Sequence, residues 1–427
     1  MPPQKTFRRM IGFLTARLAL MGLKQLPDPR ARRGKRWRLD QVLTVCLLGL
    51  MAGCRSLAEV ESMTAGLSRA VRRAMGIPRR VPDTTLRDVL CRLHHRDLLP
   101  VLHGVVQRLR LSKTLDGEFP LRVVALDGRA TTLTSWEGLY AQRHLHDSGS
   151  VYGLMRTVTA TLVTSAGRPC VDVSPIPADT NEMGHFETAF TRLCDAHNNL
   201  VDLITYDQGA NSDDNARCVL GHGKHYLFRM NDERRGMQKL AAELLEHADV
   251  SATEYDTRSN RTEVIRRVRL VPVNHTALPQ MPRVPLIWPH ARTLIRVDSQ
   301  TLVDGQVQSQ LTRYFCSSLP TKRLSADQWL WLTKAHWGVE TTHQVLDQSF
   351  LEDDRPWIRN DPNGMLVVLI LRRIAYTLLT MFRSVTLRSD AHRNMPWRML
   401  FEWVRDTLVA STEATVRSLR KRLPTAV

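Results

Sequence analysis

The sequence predicts an α/β protein: a mixed sheet flanked by helices, with an N-terminal helical domain and a β-rich insertion. Three observations carry this. Residues 1–115 show helical periodicity and helix caps without strand-like runs. Residues 120–232 give three short β-branched or apolar runs, then strands alternating with helical text. Strand text returns at 250–320 and helical text at 325–427, so the expected boundaries are 1–115, 120–232, 250–320 and 325–427.

In the first region, residues 41–52 form an apolar helix. Ser56 opens the next, with Glu59 at capping-box spacing. The stretch from Gly76 to Pro82 is a stop signal, and Asp83 is expected to cap a helix running to Leu93. Two helices about a short Pro-rich turn, ringed by Arg72, Arg73, Arg79, Arg80 and Arg87, have the form of a helix-turn-helix. A small helical bundle reads the same way. In the second region strands are expected at 121–126, 156–164, 170–176, 200–206 and 225–230, with helices at 182–196 and 211–219. The third offers strands at 261–273, 293–297 and 311–316, with prolines between 272 and 289 marking loops. In the last, Ser325 with Gln328 at the capping-box position opens a helix to about residue 348. Further helices are expected from 362 to about 383 and from 397 to 422.

The formal charge is +18, and the first 120 residues supply +14 of it, with 23 Lys/Arg against 9 Asp/Glu. A basic front end on a nearly balanced body suits a polyanion, with DNA preferred and an anionic membrane surface the rival. The uncharged run from Val42 to Cys54 has 13 residues, short of the roughly 20 that a spanning helix needs. The apolar stretch 365–382 carries Arg372 and Arg373 in its middle, so no membrane partner is expected. Near the N-terminus, Lys5, Arg8 and Arg9 precede an apolar segment as in an export signal. Arg17 splits that segment, and no small-residue cleavage site follows. Seven cysteines without a C-x-x-C pair suit a reducing cytoplasm.

Two aspartates, Asp127 and Asp207, follow apolar strands. Strand ends are where an open α/β sheet presents a site. Two half-desolvated carboxylates side by side repel unless a cation joins them, although each alone could simply cap a turn. On the helix after Ser325, His336, Glu340, His343 and Asp347 fall on one stripe among apolar neighbours. Hard oxygen donors from two strands and one helix suit two Mg2+ about 3.5–4 Å apart. Two other readings of the stripe stay open: a solvated charged face, and a zinc site from His336, Glu340 and His343. Trp337 is placed either to stack on an extruded base or to pack in the core.

Several segments, in order, carry a resemblance: LPDPRARRGKRWRLDQVLTVCLLGLMAGCRSLAEV (26–60), ALDGR (125–129), DTNEM (179–183), LITYDQGANS (203–212), HYLFRMND (225–232), AHWGVETTHQVLDQSFLEDD (335–354) and LRRIAYTLL (371–379). Together they resemble the DDE transposases of bacterial insertion sequences, in the branch of the H-repeat-associated proteins. The resemblance implies an RNase H-like core with Asp127, Asp207 and Glu340 as the metal-binding and catalytic triad. Mg2+ would be the cofactor, two ions with Mn2+ as a substitute. The partner implied is double-stranded DNA, element ends and target, bound by a homodimer in a nucleoid-associated cytoplasmic setting. Arg129, Lys334 and the N-terminal arginines Arg72, Arg73, Arg79 and Arg80 would hold phosphates, with Trp337 at the DNA. Asn181, Glu182, Asn231 and His336 would line the site. The triad separations of 80 and 133 residues leave room for a β insertion before the glutamate. Where the family usually has lysine after the first-motif glycine this chain has Arg129, and Lys334 stands in place of an arginine. Thr341 stands in place of an asparagine, and residues 130–150 differ from the family's usual text. Three functions stay open: an active transposase, a DNA-binding protein of transposase descent without catalysis, and a stand-alone metal-dependent nuclease.

Overall fold

The computed structural model describes residues 4–31, 35–77, 79–207, 211–230, 236–259, 261–273, 288–387 and 389–414. Six helices come first: α1 Gln4–Leu20, α2 Leu39–Met51, α3 Leu57–Gly66, α4 Arg69–Met75, α5 Asp83–Arg92 and α6 His95–Leu111. The strands β1 Val123–Leu133, β2 Ala141–Leu145, β3 Val151–Leu162 and β4 Cys170–Ile176 follow. Then α7 Glu182–His197, β5 Leu203–Tyr206, α8 Asp213–Gly221, β6 His225–Met230 and α9 Gly236–Glu246 alternate. The strands β7 Val250–Ser259, β8 Thr262–Pro272, β9 Thr293–Val303 and β10 Gln306–Ser317 precede the closing helices. These are α10 Ala326–Ala335, α11 Trp337–Gln348, α12 Pro362–Met381, α13 Asp390–Arg393 and α14 Trp397–Ala410.

All ten strands form one sheet, in the order β2-β3-β1-β5-β6-β10-β9-β8-β7, with β4 also paired to β3. The stretch β4-β3-β1-β5-β6 is antiparallel across β4, β3 and β1 and parallel across β1, β5 and β6. This is the RNase H-like arrangement. The strands after β6 continue the same sheet, because Tyr314–Ser317 of β10 pair antiparallel with β6. Elements that went unread in the sequence include α9, the edge strand β2, the short helix α13, and β7 at the sheet's far edge.

The central strands are buried on both faces, and alternation sorts their side chains between two cores. Val124, Leu126, Ile204, Tyr206, Tyr226 and Phe228 enter the larger core with the N-terminal helices, α7 and α12. Val123, Ala125, Leu203, Leu227 and Phe315 enter the smaller one, under Trp329, Leu332 and Val339 of α10 and α11.

The helices of the first 111 residues do not close a core of their own. They share the larger core with α12, which packs on α2, α5 and α6, and with α14, which packs on α1. The reason lies in α12, whose side chains from Gly364 to Met381 are all buried, so it needs cover on every side. It is long and apolar enough to cross a membrane, but protein covers all of it. Helices α4 and α5 flank the expected turn. Asp83 is not the cap: Pro82 holds that position, and the Asp83 N–H donates to Glu61 at 3.1 Å.

The two arginines inside α12 are fully buried, as is Glu352. Glu352 pairs with Arg373, and its other oxygen lies 3.3 Å from Arg129 Nε. Burial alone would raise the Glu352 carboxyl, but Arg373, Arg129 and Arg372 hold it below the usual range. Its contribution to stability is therefore present above the ordinary carboxylate pKa and lost as pH falls through the depressed value. Glu352→Ala should strand buried cations and cost about 3–5 kcal/mol. Urea unfolding at neutral pH checks this, and a loss under about 1 kcal/mol would contradict the network's role.

Candidate active site

Parallel pairing of β1 with β5 runs from Val123 opposite Leu203 to Leu126 opposite Tyr206. Asp127 and Asp207 are the next residues on each chain, so adjacent strands, roughly 5 Å apart, carry a carboxylate each. Asp207 follows the end of β5 as expected. Asp127 does not end its strand: β1 continues to Leu133, paired with β3. What ends at Leu126 is the pairing with β5, and this opens the strand edge beside Asp127. Alternation from Val123 and Ala125, and from Leu203 and Thr205, directs both aspartates to the face covered by α10 and α11.

Glu340 descends onto that face from α11. The single helix expected after Ser325 is two, with His336 as the joint between α10 and α11. The backbone stays helical there, so the stripe survives. His336 Nδ1 lies 3.3 Å from Thr205 Oγ1, His343 Nδ1 lies 3.1 Å from Asp127 Oδ2, and Asp347 pairs with Arg129. Three of the four stripe residues thus meet the sheet, which excludes a wholly solvated face. Among the described residues no three His, Cys, Asp or Glu side chains are grouped to hold a metal, so a zinc cage from His336, Glu340 and His343 is not preformed.

The acids feel one another. The Glu340 carboxyl is pushed above its usual range by partial desolvation and then by the charges of Asp127 and Asp207. Glu182, at the start of α7, is pushed up by burial, with Asp127 and Asp207 adding to it. Tyr206 Oη donates to Glu182 Oε1 at 2.7 Å, and the Gly128 N–H also donates to this carboxylate. Glu182 therefore ties together the residue after Asp127 and the residue before Asp207. A Cβ at residue 128 would sit 2.0 Å from Glu182 Oε2, so a side chain there would displace this carboxylate from its partners. His336 is held below its usual range by burial, which favours a neutral ring.

Asp207, Glu340, His336 and Trp337 line one shallow cleft of about 390 Å³. Among the described residues no three His, Cys, Asp or Glu side chains close around a single point. Asp127, Asp207 and Glu340 are thus neighbours in charge rather than a preformed cage. The donor set still fits a divalent cation. It offers hard carboxylate oxygens from two strand edges and a facing helix, and mutual repulsion that a positive charge would relieve.

Two expected phosphate contacts are placed otherwise. The Arg129 side chain is only 6% exposed and is engaged by Asp347, Glu352 and Asp353. It fastens β1 to α11 and to the segment after it, and no free fork is left for a phosphate. Lys334 pairs with Glu254 on β7. The N-terminal arginines are also engaged within the helical layer. Arg72 donates to the carbonyls of Ala65 and Leu67, and Arg73 pairs with Glu413. Arg80 pairs with Glu61, and Arg79 lies over the Trp37 ring. Asn231 lies outside the described residues. Arg229 and Arg313, which sequence reasoning missed, line the cleft. Their face is readable only in the fold: each sits two positions from an apolar residue of the smaller core, Leu227 and Phe315, and the strand register decides which way that face looks.

A family described as "Transposase DDE domain" matches residues 121–378, and one described as "DDE_Tnp_1-associated" matches residues 20–104. No curated protein matches the chain. Among solved structures, the cryo-EM structure of the piggyBac transposase synaptic complex with hairpin DNA is 10% identical, over 99% of this chain and 80% of that one. Its TM-score is 0.43, too faint a likeness to transfer anything. With one family's match extending over more than half of the sequence, and around Asp127, Glu182, Asp207 and Glu340, the chain belongs to the DDE transposases.

Proposed function

We propose that the protein cleaves DNA strands at the ends of a mobile element and joins the freed 3′-hydroxyl to target DNA. Asp127, Asp207 and Glu340 would hold two Mg2+, or Mn2+ in their place. The observation that carries this is the placement of three acids on one sheet face, each within the others' field. Bound ions would supply an activated water or 3′-hydroxyl and stabilise the leaving oxygen of an in-line displacement. The chain's own part is positional. The β1–β5 register fixes the spacing of the aspartates, Glu182 clamps their two strand ends, and His343 orients Asp127. Glu340 comes from a separate helix packed on that sheet face, so the three acids meet only in the folded chain.

Double-stranded DNA is the proposed partner, with two copies of the chain joining two ends. The basic excess of the first 120 residues supplies the grip. Arg73 and Arg80 keep 57% and 64% of their side chains exposed despite their ion pairs, so they remain available to phosphates.

Asp127→Asn and Glu340→Gln should each abolish strand cleavage while leaving DNA affinity within a few-fold. Equal loss of both activities in folded protein contradicts the assignment. In chelator at neutral pH, Glu340→Gln should melt at or above wild type. The raised carboxyl pKa means that the ionised form is disfavoured in the fold, so removing the charge relieves repulsion. A melting temperature several degrees lower would contradict that.

Because the N-terminal helices share the core, their role is best tested by charge and not by truncation. A combined Arg73→Gln, Arg80→Gln variant should lower the slope of log affinity against log salt by about 2, close to 0.9 per phosphate contact. An unchanged slope removes these arginines from the DNA interface.

A further inference from the structure

The cleft beside the carboxylates also holds two cations. Arg229 on β6 and Arg313 on β10 share the sheet face of Asp207, two positions from Leu227 and Phe315 respectively. Both line the cleft with Asp207 and Glu340. The Nε of each is buried and meets no acceptor among the described residues. Neighbouring Arg266, by contrast, is satisfied by Glu254 and Asp256 at 3.0 and 3.2 Å.

The Arg313 guanidinium lies over the Trp337 ring, 4.8 Å from its centroid. This fixes the plane of the fork and leaves its edge for hydrogen bonding. Arg313 is held below its usual range by burial, then by the charges of Arg229 and Arg266. The nearby counter-charge is Asp207, whose Oδ1 lies 3.5 Å from Arg229 Nη1, and Glu340. Those are the carboxylates assigned above to a cation. Once they are committed, two partly desolvated guanidinium groups with free N–H donors need an anion. A tetrahedral oxyanion with several acceptor oxygens meets that need.

We propose that Arg229 and Arg313 form an anion subsite for a backbone phosphate of the DNA strand, next to the phosphodiester on which the carboxylates act. Trp337 is the positioning residue that holds Arg313 flat. The proposal rests on the strand-cleavage reading for the commitment of Asp207 and Glu340 to cations and for naming the anion as a DNA phosphate.

The test uses the full chain in Mg2+ and a duplex carrying the DNA that flanks the coding region. Wild type, Arg313→Gln, Arg313→Lys and the Arg229→Gln, Arg313→Gln double variant are titrated at several salt concentrations. Melting temperature and Mn2+ affinity are measured alongside. The double variant should lose tenfold or more in DNA affinity, with the salt slope reduced by about 0.9 per arginine. Mn2+ affinity should not fall, because loss of two neighbouring cations lessens the repulsion of the bound ion. Arg313→Lys should recover the slope but only part of the affinity, because it keeps the charge and loses the fork. A second measurement needs no variant: one neutral methylphosphonate linkage beside the cleavage point should weaken wild-type binding. Inorganic phosphate competing as well as duplex would assign the subsite to free phosphate and overturn the DNA assignment. Unchanged affinity and slope in the double variant, or no sensitive linkage, overturns the subsite. Arginine-dependent binding by a protein that cuts no strand supports the subsite and removes the enzyme reading. Normal cutting by the double variant removes the subsite and leaves the enzyme.

Discussion

Asp127 and Asp207 stand side by side because two short parallel strands stop pairing at the same level. Each strand is buried on both faces up to that level, so neither can slide without moving a buried side chain into the wrong core. The register that buries Val123 to Leu126 and Leu203 to Tyr206 is therefore also the register that presses two negative charges together. Like charges so placed are unfavourable in water-poor surroundings. The fold meets this locally with His343 against Asp127 and Arg229 near Asp207, and leaves Glu340 and Glu182 with raised carboxyl pKa values. A cluster held under such repulsion is prepared for a divalent cation.

Holding that cluster needs a rigid surround, and the chain builds one from buried charge. Arg129, two residues after Asp127, is gripped by acids that follow Glu340 along the chain: Asp347, Glu352 and Asp353. Glu352 in turn pairs with Arg373 of α12, the helix around which the N-terminal helices pack. One continuous set of ion pairs thus joins the strand of the first aspartate, the helix of the glutamate and the helical layer. A buried network of this kind specifies geometry more than it adds stability, since its desolvation cost offsets much of its Coulombic gain. The sharing of one core between helical layer and sheet follows from the same helix.

Much of the fold was legible in the sequence. Alternation and β-branched runs identified the strands of the RNase H-like sheet, and His225–Met230 is found as β6. The capping box at Ser325 opens α10 as expected, with Ser325 Oγ accepting from the Gln328 N–H at 3.2 Å. The edge strand Val250–Ser259 escaped because its polar residues, Glu254 and Asp256, are there to pair with Arg266 on its neighbour and not to fill a core. The candidate acids were legible because each follows a buried run or lies on a helix stripe. The fates of Arg129 and Lys334 were not, since a charge matched to a phosphate and one matched to a distant carboxylate look identical in one dimension. Arg229 and Arg313 were overlooked for the opposite reason. Nothing local marks a strand arginine as facing a cleft until the partner strand and its register are known.

The account stands on Asp127, Asp207 and Glu340 acting together on divalent ions. Calorimetric titration of the full chain with Mn2+, without DNA, tests that most directly. The account predicts two ions per chain for wild type, and loss of at least one from each of Asp127→Asn, Asp207→Asn and Glu340→Gln in protein that remains folded. Undiminished Mn2+ binding by all three variants would contradict it.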